Sequence, residues 1–137
     1  MVTTPIDDLP PGSVLSLGVD FESISRVNAL LSRYGDRFLS RVFTAHEIEY
    51  SLRRKFPAQH LAGRFCAKEA AMKALGTGRA LGVLWKNVEV VRPSGPPQLR
   101  LHGGAARRAA ALGAGRALVS ITHAADFASA QVLLLKA

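Results

Sequence analysis

Apolar and polar residues alternate from Val14 onward: Leu15, Leu17, Val19 and Phe21 stand between Ser16, Gly18 and Asp20. A period of two predicts a strand, with Asp20 near its end on the face opposite the apolar set. The period then lengthens. Ile24, Val27, Leu30, Leu31 and Tyr34 predict a helix over 23–34, stopped by Gly35. Thr44 and Glu47 make a capping-box pattern that starts a second helix, with Phe43 and Ile48 placed as a hydrophobic staple. The clearest periodicity predicts a third helix over 58–75, after Pro57 and before Gly76. Its stripe Leu61, Phe65, Met72, Leu75 is apolar. A second stripe, Ala62, Cys66, Glu69, Lys73, begins with small side chains and ends with a carboxylate beside an ammonium. Strands follow at 85–92 and 98–102 around the turn Pro93-Ser94-Gly95-Pro96-Pro97, then an Ala/Arg helix over 104–112 and two last strands at 117–122 and 129–135. This order predicts an α+β fold with an antiparallel sheet packed with helices.

Composition narrows the class. A chain of 137 residues with 48% apolar and 20% charged residues suits one globular domain, here 14–137, behind a proline-rich leader over 1–13 read as mobile. No apolar run reaches the roughly 20 residues of a membrane helix, and the N-terminus lacks the pattern of a signal peptide. The one cysteine, Cys66, cannot form an internal disulfide, so a cytoplasmic location is expected. The net charge of +8, from 18 basic and 10 acidic residues, favours an acidic partner. A nucleic-acid-binding module fits poorly, because aromatic residues are only 7% and no recognised DNA or RNA motif appears.

Three segments carry candidate chemistry: Gly18-Val19-Asp20 with Arg26, the helix from Arg64 through Glu69 to Lys73, and Val119-Ser120-Ile121-Thr122-His123. Asp20 and Glu69 could share one cation, since Mg²⁺ commonly takes one or two protein carboxylates and completes its shell with water and phosphate oxygens. Lys73, one turn beyond Glu69, would add positive charge for a pyrophosphate. Alone, each feature has a simpler reading: Asp20 as a turn residue, Glu69 and Lys73 as a surface ion pair, His123 as a structural residue, Lys68 as a lysine that snorkels along the apolar stripe.

Together, GVDFESISR (18–26), RFCAKEAAMKALGTG (64–78), WKNVEV (85–90), VSITH (119–123) and ASAQV (128–132) resemble, in order, the motifs of the holo-acyl-carrier-protein synthase family, the small 4′-phosphopantetheinyl transferases. The resemblance runs from about residue 15 to the end of the sequence. It implies the 4′-phosphopantetheinyl transferase fold and transfer of the phosphopantetheine arm of coenzyme A to a serine of an acidic apo acyl carrier protein, with release of adenosine 3′,5′-bisphosphate. It implies Asp20 and Glu69 as Mg²⁺ ligands, Lys73 at the pyrophosphate, Ser120, Thr122 and His123 at the coenzyme A phosphates, and Arg26 and Arg33 on the helix that grips the carrier. It further implies a homotrimer whose active sites lie between subunits, His123 serving a neighbour's Asp20 and Glu69, and a role in fatty-acid or polyketide synthesis. The base for the carrier serine is left between Glu69 and a metal-bound water. The sequence departs from the pattern at Ser23, where relatives carry an acid and where this chain has Glu22 one place early. It also departs at Gly95-Pro96-Pro97, which lacks a lysine, and at Cys66, which replaces an alanine. A catalytically silent relative is disfavoured by the presence of Asp20, Glu69, Lys73 and His123.

Overall fold

The computed structural model describes residues 11–137; residues 1–10 of the expected leader lie outside the described residues. The elements run β1 (Val14–Ser23), α1 (Ile24–Tyr34), α2 (Asp36–Val42), α3 (Ala45–Leu52), α4 (Pro57–Leu75), β2 (Val88–Val91), β3 (Gln98–Leu101), α5 (Gly103–Leu112), β4 (Ala114–Ala124) and β5 (Phe127–Lys136). This is the expected α+β class, with the strands split into two antiparallel sheets, β1-β5-β4 and the hairpin β2-β3. Residues 85–87 of the expected strand 85–92 form a single 3₁₀ turn instead.

Helix α4 is the axis of the molecule. Twelve of its 19 residues are buried, which is why it shows little amphipathic character: sheet, helices and hairpin surround it. Its start and stop follow the sequence signals, Pro57 in the first turn and Gly76 in the left-handed region at φ 73°. The small stripe lets the helix lie tight on the sheet. A Cβ on Gly18 would overlap the carbonyl of Ala70, Ser16 Oγ donates to Ala74 O at 2.6 Å, and Cys66 Sγ donates to Ala128 O. Hence Ser16, Gly18 and Asp20 face the core helix, while the apolar alternates of β1 face outward, Leu17 being 59% and Phe21 67% exposed.

Helix α1 is capped by Ser23, whose Oγ accepts from Arg26 N. Asp126 in the β4–β5 turn accepts from Ser23 Oγ, Ser25 Oγ and Ser25 N, so the last hairpin fixes the entry of α1. The capping box at Thr44 and Glu47 forms as expected. Helix α2 has no counterpart in the sequence reading. Gly35 both ends α1 and opens α2, and Phe38, Leu39 and Val42 bury its inner face.

Lys68 does not snorkel. It is fully buried and paired with the equally buried Glu47 at 2.7 Å. Its ammonium also donates to the carbonyls of Trp85 and Val88. Glu47 accepts in turn from Thr44 N and Val90 N. A buried lysine needs all its protons engaged, and here three acceptors engage them. Burial lowers the Lys68 pKa, and the Glu47 carboxylate opposes that shift.

Candidate active site

Asp20 pairs in register with Ala130 and Glu22 with Ala128, so both carboxylates project to the α4 side of the sheet near the end of β1. From α4, Lys73 reaches across and donates to Val19 O at 2.9 Å and to Asp20 Oδ1 at 3.1 Å. It pairs with Asp20 rather than with Glu69 one turn before it, so the simple surface ion pair within α4 does not form. Glu69 lines one groove with Glu22, Arg26, Val27, Leu30 and Phe65. Its Oε1 accepts from the indole Nε1 of Trp85 at 2.8 Å. The sequence-predicted Asp20, Glu69, Lys73 and Arg26 thus gather at one place, joined by Glu22.

This corner holds more negative charge than Lys73 offsets. Asp20 is mostly buried; its Oδ2 receives no N–H or hydroxyl donor, and the carboxyl of Glu22 lies within hydrogen-bonding reach of its carboxylate. Glu22 is pushed up to about 7, first by burial, then by the neighbouring charge of Asp20 and a hydrogen bond to it, with Glu69 adding to the effect and Arg26 opposing it. Such a donor set fits a divalent cation: three carboxylates supply hard oxygen donors, against the two positive charges of Lys73 and Arg26. No group of three His, Cys, Asp or Glu side chains arranged as a metal shell occurs among the described residues. The fit is therefore to an ion held by few protein ligands, as suits Mg²⁺.

Ser120, Thr122 and His123 lie elsewhere. Ile121 faces α4, near Gly63. Alternation along β4 therefore sends Ser120 and Thr122 to the open face of the sheet. His123 meets Gln59 in the first turn of α4. His123 pairs with Ala128, which pairs with Glu22, so it stands two strands, about 10 Å, from the acidic corner, and its side-chain bond goes to Gln59 rather than to Asp20 or Glu69.

Around His123 stands a cationic cluster that the sequence reading missed. The guanidiniums of Arg54 and Arg64 lie 4.1 Å and 4.0 Å from the Tyr50 ring centroid. His60 packs edge-on against the same ring. Arg64 is 6% exposed, yet its Nε has no partner. Burial lowers the Arg64 pKa; burial, then Arg64 and Arg54, lower that of His60. Burial alone would raise the Tyr50 phenol, but Arg54 and Arg64 pull it below its ordinary value. The only signal in the sequence was the basic run Arg53-Arg54-Lys55 one turn before α4.

Arg26 and Arg33 are exposed on α1, seven residues apart and so on one helical face.

Comparison with known proteins identifies the family. The profile of the 4′-phosphopantetheinyl transferase superfamily matches residues 16–129. A holo-[acyl-carrier-protein] synthase of Koribacter versatilis (strain Ellin345) is 43% identical over 122 residues, which cover 88% of this chain and 98% of that protein. Among solved structures, holo-[acyl-carrier-protein] synthase from Neisseria meningitidis is similar with a TM-score of 0.81 at 28% identity, covering 88% of this chain and 98% of that one. The synthase from Bacillus anthracis str. Ames, solved in complex with CoA, gives a TM-score of 0.75 at 30% identity, covering 91% and 99%. The fold, the gathered acidic corner and these matches lead to one statement: the chain belongs to the 4′-phosphopantetheinyl transferase superfamily, in its holo-[acyl-carrier-protein] synthase branch.

Proposed function

We propose that residues 14–137 form one catalytic unit that transfers the 4′-phosphopantetheine arm of coenzyme A to a serine of an apo acyl carrier protein. The observation that carries this reading is the corner where Asp20, Glu22, Glu69 and Lys73 meet, the buried Asp20 Oδ2 receiving no N–H or hydroxyl donor. Asp20 and Glu69 would hold the divalent cation, Mg²⁺ in this reading. When bound, it neutralises the pyrophosphate oxygens. Phosphoryl transfer asks a protein mainly for position and charge. Lys73, anchored on β1 and half exposed, faces the charge that develops on the departing nucleotide. The carrier serine oxygen forms the new bond to the β-phosphorus as the bond to the bridging oxygen breaks; the hydroxyl proton passes to Glu69 or to water, and adenosine 3′,5′-bisphosphate leaves with the bridging oxygen. Mixing the protein with coenzyme A, Mg²⁺ and an apo carrier tests the reading directly. The carrier should gain the mass of the arm, with loss of the gain on chelation; an unchanged carrier mass would refute it.

The His123 cluster suits a phosphate of coenzyme A, because Arg64 carries a buried, unengaged donor among several cations. Arg64 is five residues before Glu69, about 7.5 Å along α4, but about 140° around it, so the two side chains leave different faces of the helix and the cluster of one chain would serve the carboxylates of another. Three copies meeting through the open sheet face would bring this about, with Ser120 and Thr122 at the boundary. The support is the bare apolar surface there, with Leu17, Phe21 and Leu118 at 59%, 67% and 42% exposure, more than a lone domain commonly leaves. Phe21→Glu is expected to give single chains in sedimentation and to lose transfer; retention of wild-type mass and activity would argue against assembly through this face.

Arg26 and Arg33 would receive the acidic carrier. Both are exposed and neither makes a salt bridge among the described residues; Arg26 stands at the rim of the acidic groove and Arg33 over the Tyr34 ring, where their charges can steer a partner. Replacing both by glutamate should lower kcat/KM for the carrier by about tenfold or more and flatten its dependence on salt, with the KM for coenzyme A unchanged. A steep salt dependence that survives the double replacement would remove α1 from the docking surface. A cytoplasmic setting and supply of holo carrier for fatty-acid synthesis complete the reading; the buried, unpaired Cys66 suits a reducing compartment.

A further inference from the structure

We propose that Trp85 is a positioning residue for Glu69: its indole holds one carboxylate oxygen so that the other stays free for the cation. This rests on the reading of Glu69 as a metal ligand. The contact is a 2.8 Å hydrogen bond from Trp85 Nε1 to Glu69 Oε1. An indole N–H can only donate. It therefore fixes the carboxylate's orientation without offering an oxygen or lone pair that would compete for the ion.

Trp85 is itself held at several points. Its carbonyl accepts from the buried Lys68 ammonium at 3.1 Å. Its 3₁₀ turn is closed by Asn87 Oδ1, which accepts from Leu84 N at 2.9 Å. Its ring packs against Phe65 with centroids 6.1 Å apart, and the Arg79 guanidinium covers it at 4.3 Å. Lys68 and Glu69 are consecutive on α4, yet one grips the main chain of Trp85 and the other its side chain. This two-point clamp sets the distance between the helix and the turn. The buried ion pair behind Lys68 thereby supports the orientation of the outward-facing Glu69. Trp85 acts on the reaction through Glu69.

Trp85→Phe keeps the ring between Phe65 and Arg79 and keeps the carbonyl for Lys68; only the donor is lost. Mn²⁺ binding to the protein alone, followed by electron paramagnetic resonance, should weaken by about tenfold, the size of one hydrogen bond to a charged group. Transfer should fall in parallel at limiting metal and recover when metal is raised, with the thermal midpoint little changed. Affinity equal to wild type would overturn the positioning role. Glu69→Gln is measured alongside: if wild type binds no Mn²⁺, or this variant binds it as well as wild type, the metal reading itself fails and the proposal falls with it. Because Trp85 is the single tryptophan, its emission in metal-free protein reads the contact even if Trp85→Phe folds poorly. Glu69→Ala should shift that emission, and Asp20→Ala should not. Emission unmoved by Glu69→Ala would also overturn the proposal.

Discussion

Glu69→Gln is expected to lower transfer by at least about a thousandfold while leaving the fold intact. The change removes one negative charge and little else. The side chain keeps its length and its α4 position, and the amide oxygen can still accept from Trp85 Nε1, the bond that Glu69 makes now. Nothing in the core depends on the lost charge, because Glu69 sits at the groove lined by Glu22, Arg26 and Phe65 rather than inside the protein. What is lost is a hard, charged oxygen donor next to Asp20. A neutral amide oxygen is a far poorer partner for a hard divalent cation. Removing a single preorganised electrostatic group commonly costs about a hundred- to a thousandfold in rate, and here the substitution would also empty the site of much of its metal. Carrier mass and nucleotide release in single turnovers read the loss, and the thermal midpoint reads the fold. Turnover within tenfold of wild type at a normal midpoint would remove Glu69 from the reaction.

The parts of this site that were legible in the sequence are those encoded by short-range spacing. Glu69 and Lys73 share a helical face by virtue of a four-residue interval, and the small residues before them let that face approach a strand. Pro57, Gly76 and the capping box at Thr44 mark helix ends through local backbone chemistry, and each acts as expected. Alternation in β1 correctly put Asp20 opposite the apolar residues. It could not tell which face the core would take, and the apolar set faces outward. Helix α2 escaped notice because seven residues carry barely two turns of periodicity and Gly35 already had a role as a stop. The cationic cluster was hidden for another reason. Tyr50, Arg64, Arg92 and His123 come from four separate stretches of chain, and only folding brings their charges together. The bond from Trp85 to Glu69 likewise depends on a turn whose position is set by Lys68, a residue whose sequence context suggested a surface role.

That same lysine underlies the largest expected effect on stability. Lys68→Met should destabilise the protein by about 3–5 kcal/mol, because it leaves the Glu47 carboxylate buried without its counter-ion. Methionine matches the length of the stem and fills the space, so the loss is electrostatic rather than a cavity. Three bonds disappear: those to Glu47 Oε1, Trp85 O and Val88 O. Glu47 keeps its bonds from Thr44 N and Val90 N, but these do not supply the missing positive charge. The Trp85 and Val88 carbonyls are left facing the core, each with a desolvation cost of its own. For a chain of this size a loss of that order lowers the thermal midpoint by about 10 °C or more. Lys68→Arg should not rescue it, since a planar guanidinium is bulkier than the fully enclosed ammonium it would replace. Equilibrium denaturation gives the free energy directly. A midpoint within about 2 °C of wild type for Lys68→Met would mean that the ion pair contributes no more than an exposed one, and that α3, α4 and the β2 hairpin are held together by apolar packing alone.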